Sequence, residues 1–136
     1  NSHIHTCVNA GLKAQGGGTV RDLHIEHAGI LGDRRHSPRS MHAENRAIDI
    51  KALEMKLTNG KVRRFTFKYK SNRPFYTAFR RCWGGIVKKY NGCPTYSGNI
   101  MLTGSIGWEN RHHQNHMHTS VPYCVRGRYA GNYYRR

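Results

Sequence analysis

Four of the chain's ten histidines crowd into one stretch, His112-His113-Gln114-Asn115-His116-Met117-His118. His116 and His118 are two residues apart, so on a strand both imidazoles project to the same side. Imidazole nitrogen is a favoured zinc ligand, and catalytic zinc generally takes three protein ligands and keeps a further position for water. The stretch can supply part of such a site; the remaining ligands must come from elsewhere. Carboxylates are scarce, with Asp22, Glu26, Asp33, Glu44, Asp49, Glu54 and Glu109 making up the whole set. Asp49 stands apart because it lies inside the apolar run Ala47-Ile48-Asp49-Ile50, where an unpaired carboxylate is costly and calls for a cation or several donors. His42 lies just upstream, at the end of a loop able to fold back over that strand.

The elements that must position these groups are legible in outline. Alternation along Ala47–Ile50 places Asp49 opposite to its two isoleucine neighbours. The runs Lys51–Leu57 and Val62–Tyr69 flank Thr58-Asn59-Gly60-Lys61, and Asn-Gly is a strong hairpin signal. Phe75, Phe79, Cys82-Trp83, Ile86-Val87 and Tyr90 recur at three- and four-residue steps, the spacing of one helix face and of core packing. Pro74 suits the first turn of that helix, and Gly92 is a stop signal beyond it. Thr19–Ile25, Asn99–Thr103 and Met117–Val121 read as strands, and 27–39 as a loop. Gly16-Gly17-Gly18 reads as a flexible break after an N-terminal extension, residues 1–18. The fold class expected is α+β: a helix packed on a mostly antiparallel sheet in a single domain over 1–136, with a basic tail at 125–136.

Charge bears on partners rather than on fold. Lys and Arg number 23 against 7 acids, a net charge of +16, which concentrates polyanions such as nucleic acid, anionic lipid or bacterial wall polymers. The basic residues are spread along the chain, which points to a generally cationic surface and away from a dedicated nucleic-acid arm. No apolar run approaches the roughly 18 residues of a membrane span. The start, Asn1-Ser2-His3-Ile4-His5, has no apolar leader core and reads as that of a mature or trimmed chain. Four cysteines, Cys7, Cys82, Cys93 and Cys124, form no CxxC pair. An even count at wide spacing fits two disulfides in an oxidising compartment, secreted or periplasmic. Of the three pairings, Cys82–Cys93 closing a short loop and Cys7–Cys124 tying the ends is preferred. His112, His3, His5, His24, His27 and His36 read as surface or loop residues.

Ser40-Met41-His42-Ala43-Glu44-Asn45-Arg46-Ala47-Ile48-Asp49 resembles the SxHxxGxAxD signature of the lysostaphin, D-Ala-D-Ala peptidase and Hedgehog group, with Asn45-Arg46 in place of its glycine region. The later His113-x-x-His116-x-His118 is similar to extensin-like domains and penicillin-insensitive murein endopeptidases. The resemblance covers roughly Thr19 to Tyr123. It implies a Hedgehog or D,D-peptidase type of fold and zinc held by His42, Asp49 and His118. It also implies that His116 lies beside the metal, polarising water or stabilising an oxyanion. Relatives often carry an acidic general base three or four positions before that histidine; here those positions are His113 and His112, which makes His113 the candidate base and leaves Glu109 as its substitute. The implied activity is zinc-dependent hydrolysis of D-Ala-containing peptidoglycan by metal-activated water. Arg35 is the candidate clamp for a substrate carboxylate. A Hedgehog-like binding module with a silent zinc site is the alternative, and a nucleic-acid-binding protein, resting on charge alone, is a second.

Overall fold

A computed structural model describes residues 3–29, 47–89 and 104–120. Helix α1 spans His3–Ala14, strand β1 Val20–Gly29, β2 Ala47–Leu57 and β3 Val62–Thr66. Helix α2 spans Arg73–Lys88 after a short 3-10 turn, and strands β4 (Ser105–Ile106) and β5 (Met117–Ser120) follow. The five strands form one antiparallel sheet around β2. The expected α+β class therefore holds, with a second helix added.

That second helix, α1, occupies the stretch read from sequence as an extension. Its Ile4, Cys7, Val8 and Leu12 are fully buried, at the spacing of one helix face. Gly16-Gly17-Gly18 is not a slack break. Gly16 adopts a left-handed φ of 100° and the Gly17 amide donates to the Leu12 carbonyl at 2.6 Å, the pattern of a Schellman cap. Gln15 then joins the two helices. Its Oε1 accepts from the Phe75 amide at 3.0 Å and its Nε2 donates to the Ser71 carbonyl at 2.9 Å. The N-cap residue Asn72 makes no side-chain capping bond, so the Phe75 amide of the first turn of α2 is satisfied by Gln15 instead.

A disulfide joins Cys7 of α1 to Cys82 of α2. This overturns the expected pairings Cys82–Cys93 and Cys7–Cys124. The docking of α1 on α2 brings the two sulfurs together, which no count along the chain could reveal. Cys93 and Cys124 lie outside the described residues, as do Gly92, the expected strand Asn99–Thr103 and the tail.

The hairpin forms where Asn-Gly placed it. The Gly60 amide donates to the Leu57 carbonyl at 2.9 Å, and Gly60 takes a φ of 88°, which costs little only for glycine. Helix α2 buries Phe75, Tyr76, Phe79, Trp83, Ile86 and Val87 against the sheet, with Phe65 stacked on Phe75 at 4.0 Å between centroids.

Strand β2 carries an irregularity that matters for the site. Across to β1, Glu26 pairs with Ala52 and His27 with Ile50, so Lys51 falls out of register. On its other side β2 pairs with β5 up to Ile50 and with β3 from Ala52 onward. The sheet forks at Lys51, whose carbonyl accepts from the Phe67 amide at 2.8 Å. An inserted residue of this kind reverses the in–out alternation. Hence Ile48 and Ile50 enter the core before the fork, and Leu53, Met55 and Leu57 after it.

Candidate metal centre

Asp49 and His118 are separated by 69 residues in sequence yet are direct partners in the β2–β5 ladder. Facing positions of an antiparallel pair project to one side, and this is the side away from Ile48 and Ile50, as alternation required. His118 Nδ1 lies 3.2 Å from Asp49 Oδ1. His116, two residues before His118, brings its Nε2 to 3.9 Å from Asp49 Oδ2. The His113 ring sits 4.8 Å from that of His116 and 6.1 Å from that of His118, centroid to centroid. One carboxylate and three imidazoles thus converge. Asp49 is 6% exposed and His118 9%, so the cluster is rooted in a dry part of the sheet.

The histidines in this cluster are held by asparagines. Asn110 Oδ1 accepts from the His112 amide at 2.8 Å, which fixes that atom as an oxygen acceptor; His113 Nδ1, 3.0 Å away, must then carry the proton. The His113 Nε2 lone pair is left for other chemistry. Asn115 Oδ1 lies 2.7 Å from His116 Nδ1, and His116 Nε2 is directed to the Asp49 side. Burial, followed by the neighbouring His116 and His118, pushes His113 down to about 4, so it is neutral at physiological pH.

The segment carrying these groups is pinned to the helical core. Trp108 stacks on Phe67 at 4.2 Å and donates its indole N–H to the Phe67 carbonyl at 3.2 Å. Gln114 Nε2 donates to the carbonyls of Trp108 and Asn110 at 2.8 and 2.7 Å. Arg80 of α2 grips both Glu109 oxygens, at 2.9 and 2.6 Å, and donates to Ser105 Oγ at 2.9 Å. Burial alone would raise Glu109, but the Arg80 hydrogen bonds, the backbone hydrogen bonds at Glu109 and Gly107, and the Arg80 charge outweigh it and bring the carboxyl down to about 2. Glu109 is therefore a structural anchor and a poor proton acceptor. The structure brings together Asp49, His113, His116 and His118; His42 and Arg35 lie outside the described residues.

Among the described residues no group of three or more His, Cys, Asp or Glu side chains is arranged to hold a metal ion. The Asp49–His118 spacing is that of a hydrogen-bonded ion pair and equally that of two ligands on one ion. Ligand atoms about 2.0–2.2 Å from a tetrahedral ion stand roughly 3.3 Å from each other, and Asp49 Oδ1 and His118 Nδ1 are 3.2 Å apart. Sequence reasoning missed Arg80, Asn110 and Asn115. Only the last two left a signal, as amides set beside or three residues before a histidine.

No protein-family model, no curated protein and no solved structure matches the chain. Among the described residues no helix is long and apolar enough to cross a membrane.

Proposed function

We propose that the protein is an exported zinc peptidase acting on the peptides of bacterial cell walls, with the metal held by His42, Asp49 and His118. The observation that carries this reading is the buried Asp49–His118 pair, in register across two strands with donor atoms at zinc-ligand spacing and His116 on the same face. When bound, zinc would polarise a peptide carbonyl and make water nucleophilic near neutral pH. His113, its Nδ1 engaged by Asn110, offers Nε2 to take a proton and pass it to the departing amine, a role that requires its basicity to rise above the resting value of about 4. His116 turns Nε2 toward the reacting side and, once protonated, donates to a developing oxyanion. The Cys7–Cys82 disulfide supports export to an oxidising compartment, and the +16 charge suits residence on an anionic wall.

A catalytically silent binding module is the second reading, favoured by one observation: the acid expected to replace the missing base, Glu109, is clamped by Arg80. Elemental analysis should give one zinc per chain, lost in Asp49→Ala. Digestion of purified peptidoglycan should release new amino termini, and His113→Ala should stop that release while retaining zinc. A zinc-free protein that stays folded and active would remove both readings. Zinc without release of amino termini would leave the binding module.

A further inference from the structure

The fork in the sheet opens a groove. Where β3 and β5 part on either side of Lys51, a cavity of about 410 Å³ is lined by Glu26, Lys51, Arg64, Lys68, Tyr69 and Asn115, among others. The volume is within the range of pockets that hold small ligands, about 300–1,000 Å³. Three cations face one carboxylate there. Glu26 is already matched by Arg64, in a short ion pair, and this pairing holds the Glu26 carboxyl below its ordinary range. Lys51 and Lys68 are exposed and take part in no ion pair among the described residues. Tyr69, 54% exposed, lies under the Lys68 ammonium at 5.4 Å and adds an aromatic wall.

The groove borders the histidine cluster at Asn115. Asn115 lines it, and its Oδ1 also contacts His116 Nδ1 at 2.7 Å. The bulge makes this arrangement, because it leaves Lys51 outside both ladders and two positions from Asp49 on the same strand.

We propose that this fork groove is the subsite for a carboxylate-bearing stretch of peptide substrate, with Lys51 and Lys68 taking the carboxylates and Tyr69 packing on the chain between them. The choice of a peptide rests on the peptidase reading; the anion preference rests on the groove. A short extended peptide matches the groove's volume and its adjacency to the cluster. A nucleic-acid strand would require a longer basic track than these residues provide.

The test is fluorescence anisotropy on the full chain with a fluorescein-labelled acidic pentapeptide ending in D-Ala-D-Ala, beside the same peptide with every carboxyl amidated. Charge reversal at two exposed sites, Lys51→Glu with Lys68→Glu, should weaken the acidic peptide by at least about tenfold and leave the amidated one unweakened. The milder Lys51→Gln with Lys68→Gln should give a smaller loss in the same order, which guards against a folding defect in the first pair. Affinity within twofold of the parent in both pairs, or equal losses for acidic and amidated peptides, overturns the subsite. So does a labelled single-stranded oligonucleotide that loses as much affinity as the peptide. Binding is read with and without a chelator. Charge-selective binding by a protein that holds no zinc would refute the peptidase reading alone, whereas zinc and cleavage with unchanged peptide affinity would refute the groove alone.

Discussion

Removing the Cys7–Cys82 bridge tests the least expected feature of the fold, the N-terminal helix as a structural element. The two cysteines are 75 residues apart in sequence. In the chain-entropy account, cross-linking a loop of that length removes about 15 cal/mol/K from the unfolded ensemble, or about 4.5 kcal/mol at 25 °C. Measured effects commonly fall below this figure, so Cys7→Ala with Cys82→Ala should cost about 3–4 kcal/mol. A domain of this size is stable by roughly 5–15 kcal/mol in total; the loss would be a large part of it. With a urea dependence of about 2 kcal/mol/M, the midpoint should fall by roughly 1.5–2 M, with a slope equal to or steeper than the parent's because the freed chain exposes more surface when unfolded. Far-UV circular dichroism and the fluorescence of fully buried Trp83, next to Cys82 in sequence, provide two probes that should move together. A midpoint shift under about 0.5 M, or a non-reduced digest that fails to link the peptides carrying Cys7 and Cys82, would refute the reasoning.

Two further perturbations probe the packing on either side of α2. A Cβ added at Gly11 would lie 2.6 Å from the Phe75 ring, so Gly11→Ala should destabilise by about 1 kcal/mol net, overpacking of about 1–3 kcal/mol outweighing a helix-propensity gain of about 1 kcal/mol; a neutral result in urea denaturation would mean that α1 can slide. Glu109 titrates at about 2 in the fold against 4.5 as its ordinary value, so its contribution is present above pH 4.5 and is lost as pH falls toward 2. With 56% of its side chain exposed, solvent screening reduces that contribution to about 1 kcal/mol. Between pH 5 and pH 2.5 the parent should therefore lose about 1 kcal/mol more stability than Glu109→Gln, and parallel curves would show that the Arg80 clamp is energetically idle.

Local signals made part of this fold readable. Asn59-Gly60 fixed the hairpin because its turn chemistry is independent of the rest of the chain. The spacing of Phe75, Phe79, Trp83 and Ile86 marked α2 because one apolar face at a single period has one reading. Helix α1 carries a similar spacing in Ile4, Cys7, Val8 and Leu12, but it is short, lacks acidic residues in its first turn and precedes three glycines that read as a break. Its helicity rests on docking against α2, and docking is a tertiary fact. The disulfide was hidden for the same reason, since loop length alone favoured Cys82–Cys93. The bulge at Lys51 was masked because Ala52 and Leu53 are both apolar, so the sequence does not show where the alternation changes phase. Of the site, Asp49 was legible as a carboxylate out of place, and the HisxHis pair as its complement. The register joining them was not, because pairing over 69 positions is decided by the whole sheet.

The bulge divides the sheet's outer face into two halves that carry different side chains. On the β5 side, Asp49 shares a buried surface with His116 and His118; past the fork, outward positions carry Glu54, Arg64 and Lys56 and meet solvent. A cluster built on β2 and β5 alone would be only as well placed as β5, a strand of four residues. Its precision comes from the helical layer. Arg80 reaches from α2 to Glu109 and Ser105, and Trp108 plugs onto Phe67, so the segment bearing His113 and His116 is fastened to the same core that holds β2. Side chains meant to share an ion or a proton must keep their positions within about 0.5 Å, and only elements anchored in common can do so. Arg80→Ala should therefore shift the imidazole resonances of His113 and His116 in an NMR spectrum of the still-folded protein; histidine signals that stay in place would show that the ordering of the cluster does not depend on a residue that touches none of its rings.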